Sequence, residues 1–212
     1  MEICVVLYDH FTALDCIGPY EVLSRLPGAR LRFVAKKAGP VTTDTGMLTI
    51  VAEAALKDVQ RPDIVLVPGG PGDEGAAADS EIIEWLQRAH ETTRWTTSVC
   101  TGSIILGAAG ILRGLDATTH WASVPRLESY GARYVHERVV RQGKVITGAG
   151  VSAGIDMALT LASIEAGDEF AQMIQLGIEY DPQPPFDCGS PHKAPAHMRE
   201  MLTSLMEGTR AA

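Results

Sequence analysis

The sequence predicts an α/β protein: a doubly wound, mainly parallel sheet with helices on both faces. Three observations predict it. Short β-rich runs alternate with helical patterns along the chain; the run Asp63–Val67 is uninterrupted, as a strand buried on both faces should be; and at Cys100 a strand passes directly into a helix. A length of 212 residues fits one domain, 1–212, and 46% apolar against 21% charged residues suffices for a proper core.

Ile3–Leu7 (Ile-Cys-Val-Val-Leu) is the first strand, followed by an amphipathic helix over about Pro19–Leu26. Pro19 is comfortable at a first helical position after Gly18, where a missing N–H costs nothing. Leu31–Ala35 is the second strand, and the Thr/Gly-rich Val41–Val51 reads as a hairpin. Gly69-Gly70-Pro71-Gly72 ends the Asp63–Val67 strand, and Ser80 caps a helix with Ile82, Ile83, Leu86 and Ala89 on one face. Trp95–Val99 is the next strand, and Cys100-Thr101-Gly102-Ser103 turns into the apolar helix Ile104–Ala109, closed by Gly110. Val139–Thr147 resembles a hairpin around Gln142-Gly143. Ser152–Glu165 is a long buried helix and about Asp168–Ile178 another. The 17 residues from Asp181 to His197 hold five prolines, which predicts an extended loop before a short terminal helix.

A net charge of −8 repels phosphate backbones and anionic lipid, so neither nucleic acid nor a membrane surface is expected as partner. The start Met1-Glu2-Ile3 has no basic leader and no apolar run approaches bilayer length, which predicts a soluble, cytoplasmic protein. Cysteines at 4, 16, 100 and 188 form no Cys-x-x-Cys pair, and His90-Glu91 and His136-Glu137 are not a zinc-hydrolase pattern, so no metal is expected.

Doubly wound sheets bind ligands beyond the carboxyl ends of their strands, here the loops after Leu7, Val67 and Val99. Ser98-Val99-Cys100-Thr101-Gly102 sets small residues two before and two after a nucleophile, the pattern of a nucleophile elbow whose strained backbone aims the side chain out of the sheet. The helix N-terminus that follows is expected to lower the thiol pKa. Asp15 is an ionisable group in an otherwise apolar segment; Thr12-x-x-Asp15 also matches a capping box, which would make it only a helix-start acceptor. Gly69 and Gly70 offer backbone amides to a developing negative charge, or simply form a tight turn. Gly70-x-Gly72-x-x-Gly75 matches a dinucleotide fingerprint, but Asp73 and Glu74 would repel a pyrophosphate and the next helix is expected to start later. The Thr101 hydroxyl, adjacent to the nucleophile, bonds Asp15 or the reacting group, or caps the helix; its amide joins Gly69 and Gly70 as a donor. His120 orients the thiol, binds substrate or is structural; with Val151 it is assigned to the pocket.

Leu66-Val67-Pro68-Gly69-Gly70, Val99-Cys100-Thr101-Gly102 and Ala117-Thr118-Thr119-His120-Trp121 together resemble the ThiJ/PfpI superfamily, whose members have a glutamine-amidotransferase-like, flavodoxin-like fold. Within it, Leu14-Asp15-x-x-Gly18-Pro19, His136-Glu137-Arg138-Val139-Val140, Gly154-Ile155-Asp156 and the stretch Glu179–Asp187 look like the isonitrile hydratases. Most superfamily members carry glutamate where Asp15 stands, and the peptidase-like branch has histidine where Thr101 stands. The resemblance implies hydration of an isocyanide to an N-substituted formamide without metal or organic cofactor: Cys100 attacks the isocyanide carbon, Asp15 supplies a proton and then activates water against a thioimidate. It also implies a homodimer, with the loop 181–197 crossing to the partner, closing the site or packing on its own subunit. The alternatives are a glyoxalase, deglycase or stress-response member using Cys100, and a noncatalytic sensor domain related to AraC-type regulators, which the acidic charge and an end at Ala212 disfavour.

Overall fold

A computed structural model describes residues 1–210, with side chains to Met206. Strand β1 (Glu2–Val6) leads into helix α1 (Ala13–Leu23), β2 (Arg30–Ala35) and a hairpin of β3 (Gly39–Thr42) and β4 (Thr49–Ala52). The two-residue β5 (Ala54–Ala55) precedes β6 (Ile64–Val67), α2 (Asp73–Ala78), α3 (Ser80–Thr92), β7 (Trp95–Val99) and α4 (Gly102–Ala108). A small excursion holds β8 (Asp116–Ala117), α5 (Val124–Ser129) and β9 (Arg133–Tyr134). The chain then returns through β10 (Val139–Gln142) and β11 (Val145–Gly148) to α6 (Ala153–Ala166), α7 (Asp168–Gly177) and, beyond the proline-rich loop, α8 (Ala196–Arg210).

Seven strands form one sheet in the order β10-β11-β7-β6-β1-β2-β5, parallel throughout except for the β10–β11 hairpin. This is the expected fold class. Every residue of β6 is buried, and so are Ile3, Cys4, Val5 and Val6 of β1, because helices cover both faces. In register, Val67 faces Ser98 and Val99 faces Gly148, so the loops after β6, β7 and β11 open at one edge. Among the described residues no helix is long and apolar enough to cross a membrane.

The structure corrects four element boundaries. Helix α1 begins at Ala13 rather than near Pro19, and Pro19 lies inside it. The backbone bond lost there is the one Pro19 would have given to the Asp15 carbonyl; the ring instead packs against Gly154, where an added Cβ would sit 3.0 Å from Pro19 Cγ. Helix α2 starts at Asp73, directly after the glycine-rich turn, rather than later. Asp79, not Ser80, is the N-cap of α3, accepting the Glu81 and Ile82 amides at 3.0 and 3.4 Å. Helix α8 spans 15 residues and is not short.

Candidate active site

Cys100 has φ 56°, a left-handed conformation costly for any residue with a Cβ. Its surroundings hold that strain in place. Its N–H donates to Ala149 O at 2.7 Å and Gly148 O at 3.1 Å beyond β11, and its carbonyl accepts the Ser103 hydroxyl at 3.0 Å and the Thr119 hydroxyl at 3.1 Å. The need for small neighbours is steric: a Cβ on Gly102 would lie 2.1 Å from Val67 O. Only 6% of Cys100 is exposed.

Asp15 sits in the first turn of α1, fully buried. It is not a capping-box acceptor, because the Thr12 amide donates to Gly69 O at 2.8 Å while the Gly69 amide donates to Asp15 Oδ2 at 2.8 Å. Burial pushes the Asp15 pKa up to about 7, with a smaller push from Asp44, against the opposing pull of the Gly69 amide and the Cys100 thiol. Among the described residues Oδ1 has no hydrogen-bond partner, while the carboxyl and the Cys100 thiol lie close enough to perturb each other.

The thiol itself is raised well above the usual range, first by burial and then by the Asp15 charge. A helix-start amide, that of Thr101, does favour the thiolate, but burial and Asp15 outweigh it; this corrects the expected low-pKa thiol. The two groups therefore form a coupled acid pair, and above about pH 7 they hold one proton between them.

The Gly70 amide donates to Thr101 Oγ1 at 3.0 Å, and that hydroxyl lies 3.3 Å from Gly70 O as donor. Thr101 does not cap α4 with its side chain. The amides of Gly69 and Gly70 are thus engaged by Asp15 and Thr101 and do not stand open toward the cysteine cavity. The loop must be glycine to come this close: a Cβ on Gly69 would lie 2.5 Å from Thr101 N and 2.9 Å from Asp15 Oδ2, and Gly70 has φ 145°.

A cavity of about 200 Å³ opens over Cys100, walled by Thr12, Asp44, Pro71, His120, Val151 and Met206. His120 and Val151 are thus among its walls. His120 Nδ1 also accepts the Ala122 amide at 3.3 Å, so the ring has a structural bond as well. A larger groove of about 600 Å³ runs past Tyr8 and Lys36 and does not include Cys100. Burial raises Cys4 and Cys16 to about 12, whereas Cys188 is exposed. Among the described residues no group of three His, Cys, Asp or Glu side chains could hold a metal ion.

Three polar clusters lie outside the predicted site residues. Arg126 of α5 grips the fully buried Asp73 with two 2.9 Å bonds, bracing the turn after Gly70. The stretch around Arg126 carried no periodic or motif signal that could have found it. Arg138 Nε and the Tyr180 hydroxyl both donate to Asp156 Oδ2, at 2.8 and 3.1 Å, and His136 and His192 meet Nε2 to Nε2 at 2.7 Å. Motifs far apart in the sequence thus converge to moor the proline-rich loop beside the site.

Residues 1–164 match the family model for the DJ-1/PfpI family. An isonitrile hydratase of Pseudomonas putida is 44% identical over 92% of this chain and 86% of its own length. A crystal structure of a ThiJ/PfpI family protein from Pseudomonas syringae superposes with a TM-score of 0.94 at 39% identity, covering 99% of this chain and 87% of that one. Transcriptional regulator CdhR of Pseudomonas aeruginosa is 27% identical over 76% of this chain but only 48% of its own length. Drosophila melanogaster DJ-1beta, at 23% identity and a TM-score of 0.76 over 85% of this chain and 98% of its own, shares the fold. With its family match spanning most of the sequence and a relative this similar along nearly its whole length, the chain belongs to the DJ-1/PfpI family.

Proposed function

We propose that this protein is an isonitrile hydratase, converting R–NC and water to the formamide R–NH–CHO. The observation that carries the reading is the buried pair itself: a carboxyl that keeps its proton up to about pH 7 beside a thiol in an elbow. The similarity to the Pseudomonas putida isonitrile hydratase supplies the substrate class. In the one-proton form of the pair, the thiolate–carboxylic acid tautomer is the reactive species. Cys100 Sγ bonds to the terminal isocyanide carbon while Asp15 transfers its proton to that carbon, giving the thioimidate R–N=CH–S–Cys100. Asp15, now ionised, takes a proton from water as the hydroxyl adds to the same carbon. Collapse of that adduct breaks the C–S bond, protonates nitrogen and returns one proton to the pair. Thr101, Gly69 and Gly70 hold the two groups in place, and the addition is redox-neutral.

Incubating purified protein with an alkyl isocyanide and following loss of the isocyanide infrared band against appearance of formamide tests the reading. Intact-mass analysis should show an adduct on Cys100, and Cys100→Ser should abolish turnover. Turnover of methylglyoxal without isocyanide hydration would reassign the site to a glyoxalase. The macromolecular partner is a second copy of the chain: α8 leaves Met198, Met201, Leu202 and Leu205 exposed along one helix, a stripe suited to self-association, while a net charge of −8 is unsuited to nucleic acid. Sedimentation at the monomer mass would refute the dimer.

A further inference from the structure

We propose that the substituent of the isocyanide occupies a second cavity, entered from the cysteine cavity across His120 and Val151, and that this cavity takes an aromatic ring. The claim rests on the hydratase reading for its substrate class. The cysteine cavity of about 200 Å³ has room for roughly seven water-sized groups at about 30 Å³ each, enough for an isocyano group, the attacking water and a few carbons. The second cavity is twice as large, at about 400 Å³. Both are walled in part by His120 and Val151, so they adjoin at that pair.

The walls of the second cavity suit a ring. Leu14, Trp121 and Tyr134 supply apolar and aromatic surface on one part of the lining, with His136, Glu137, Arg138 and Ser152 polar around it, and Trp121 lies 5.5 Å from the His120 ring at a tilt of 35°, extending the aromatic wall from the shared residue His120. Aromatic side chains favour ring partners through area burial and offset or edge-on stacking. The outer wall is Gly189–Pro191 of the proline-rich loop, and that wall is anchored: His192 bonds His136, and Arg199 donates to Pro191 O at 2.9 Å. A small isocyanide reaches Cys100 without using this space, whereas an arylalkyl one gains it. The protein should therefore prefer a substrate such as 2-phenylethyl isocyanide over methyl isocyanide.

The test blocks the cavity from its outer wall and reads Cys100 in two ways. At Gly189, which lines the cavity, an added Cβ meets nothing within 4 Å, so Gly189→Trp can be built without backbone strain and adds an indole at that wall. Alkylation of Cys100 by iodoacetamide and by N-(2-phenylethyl)iodoacetamide, quantified on the Cys100 peptide, gives a rate ratio that needs no isocyanide chemistry. We expect Gly189→Trp to lower the ratio of phenylethyl to parent reagent at least tenfold, and Tyr134→Ala to lower it about threefold. The kcat/KM ratio for 2-phenylethyl against methyl isocyanide should fall in parallel. Alkylation ratios unchanged within twofold in both variants would overturn the subsite even if isocyanides are hydrated. A falling alkylation ratio with no hydration of either isocyanide would support the subsite and refute the hydratase reading instead.

Discussion

Replacing Asp15 by Asn should inactivate the protein and, at neutral to alkaline pH, stabilise it. Asn is nearly isosteric and its oxygen can still accept the Gly69 amide, but it has no proton to give. The parent carboxyl rises from 3.8 to about 7 on folding. Below pH 3.8 it is protonated in both states and costs nothing. Between there and pH 7 the unfolded chain releases the proton while the native state keeps it, so rising pH favours unfolding; above pH 7 the cost is constant. A shift of that size corresponds to about 4 kcal/mol of lost stability, which the variant does not suffer. Urea titrations followed by tryptophan fluorescence should show the Asp15→Asn stability gaining on the parent by about 4 kcal/mol between pH 4 and pH 8.5, with no further change just above. Hydration should fall by about 10²- to 10⁴-fold. In the parent, kcat/KM should rise as pH passes through about 7, where the doubly protonated pair becomes singly protonated. A stability difference that stays flat with pH would refute the account of Asp15 as a carboxyl held neutral by burial.

Three further outcomes follow from the same geometry. Cys100→Gly should be more stable than Cys100→Ala by about 1 kcal/mol in urea, since only glycine accepts φ 56° freely, and both should be inactive. Arg126→Met removes two bonds from the fully buried Asp73 carboxylate and should lower stability by about 3 kcal/mol, whereas Arg126→Met combined with Asp73→Leu should recover much of it. Asn at His120, His192 or His197 should leave isocyanide hydration within about tenfold of the parent, because the proton carrier is a carboxylate; a loss of 10² or more with normal circular dichroism would replace it with an imidazole.

The parallel sheet, the elbow and the edge at which ligands gather were legible because each has a local signature: an unbroken apolar strand, small residues flanking a nucleophile, glycines after a strand. Asp15 was only half legible. The sequence places Pro19 at a helix start, yet α1 begins six residues earlier, because Gly154 on a distant helix leaves room for the proline ring; no local pattern encodes that room. Glycines after a strand suggest amide donors or a tight turn, but where an amide points depends on tertiary partners, here Asp15 and Thr101. The direction of the thiol shift is illegible for a similar reason. A helix start is visible in sequence, whereas complete burial beside a carboxylate is a product of packing. Arg126 and Asp73, 53 residues apart, could be joined only by the fold.

Helices α1 and α6 mesh reciprocally: Ile155 fills the space beside Gly18, and Pro19 fills the space beside Gly154, where an added Cβ would also stand 3.1 Å from Val99 Cγ2. One missing methyl group is thus shared by the helix that bears the acid and the strand that ends in the nucleophile. Any enlargement at position 154 must be absorbed by pushing α1 outward or the tip of β7 sideways. Either displacement widens the gap between carboxyl and thiol, and proton transfer tolerates little such widening. Random mutagenesis scored for lost activity with normal expression should therefore register Gly154 beside Cys100 and Asp15, although it brings no functional group to the chemistry.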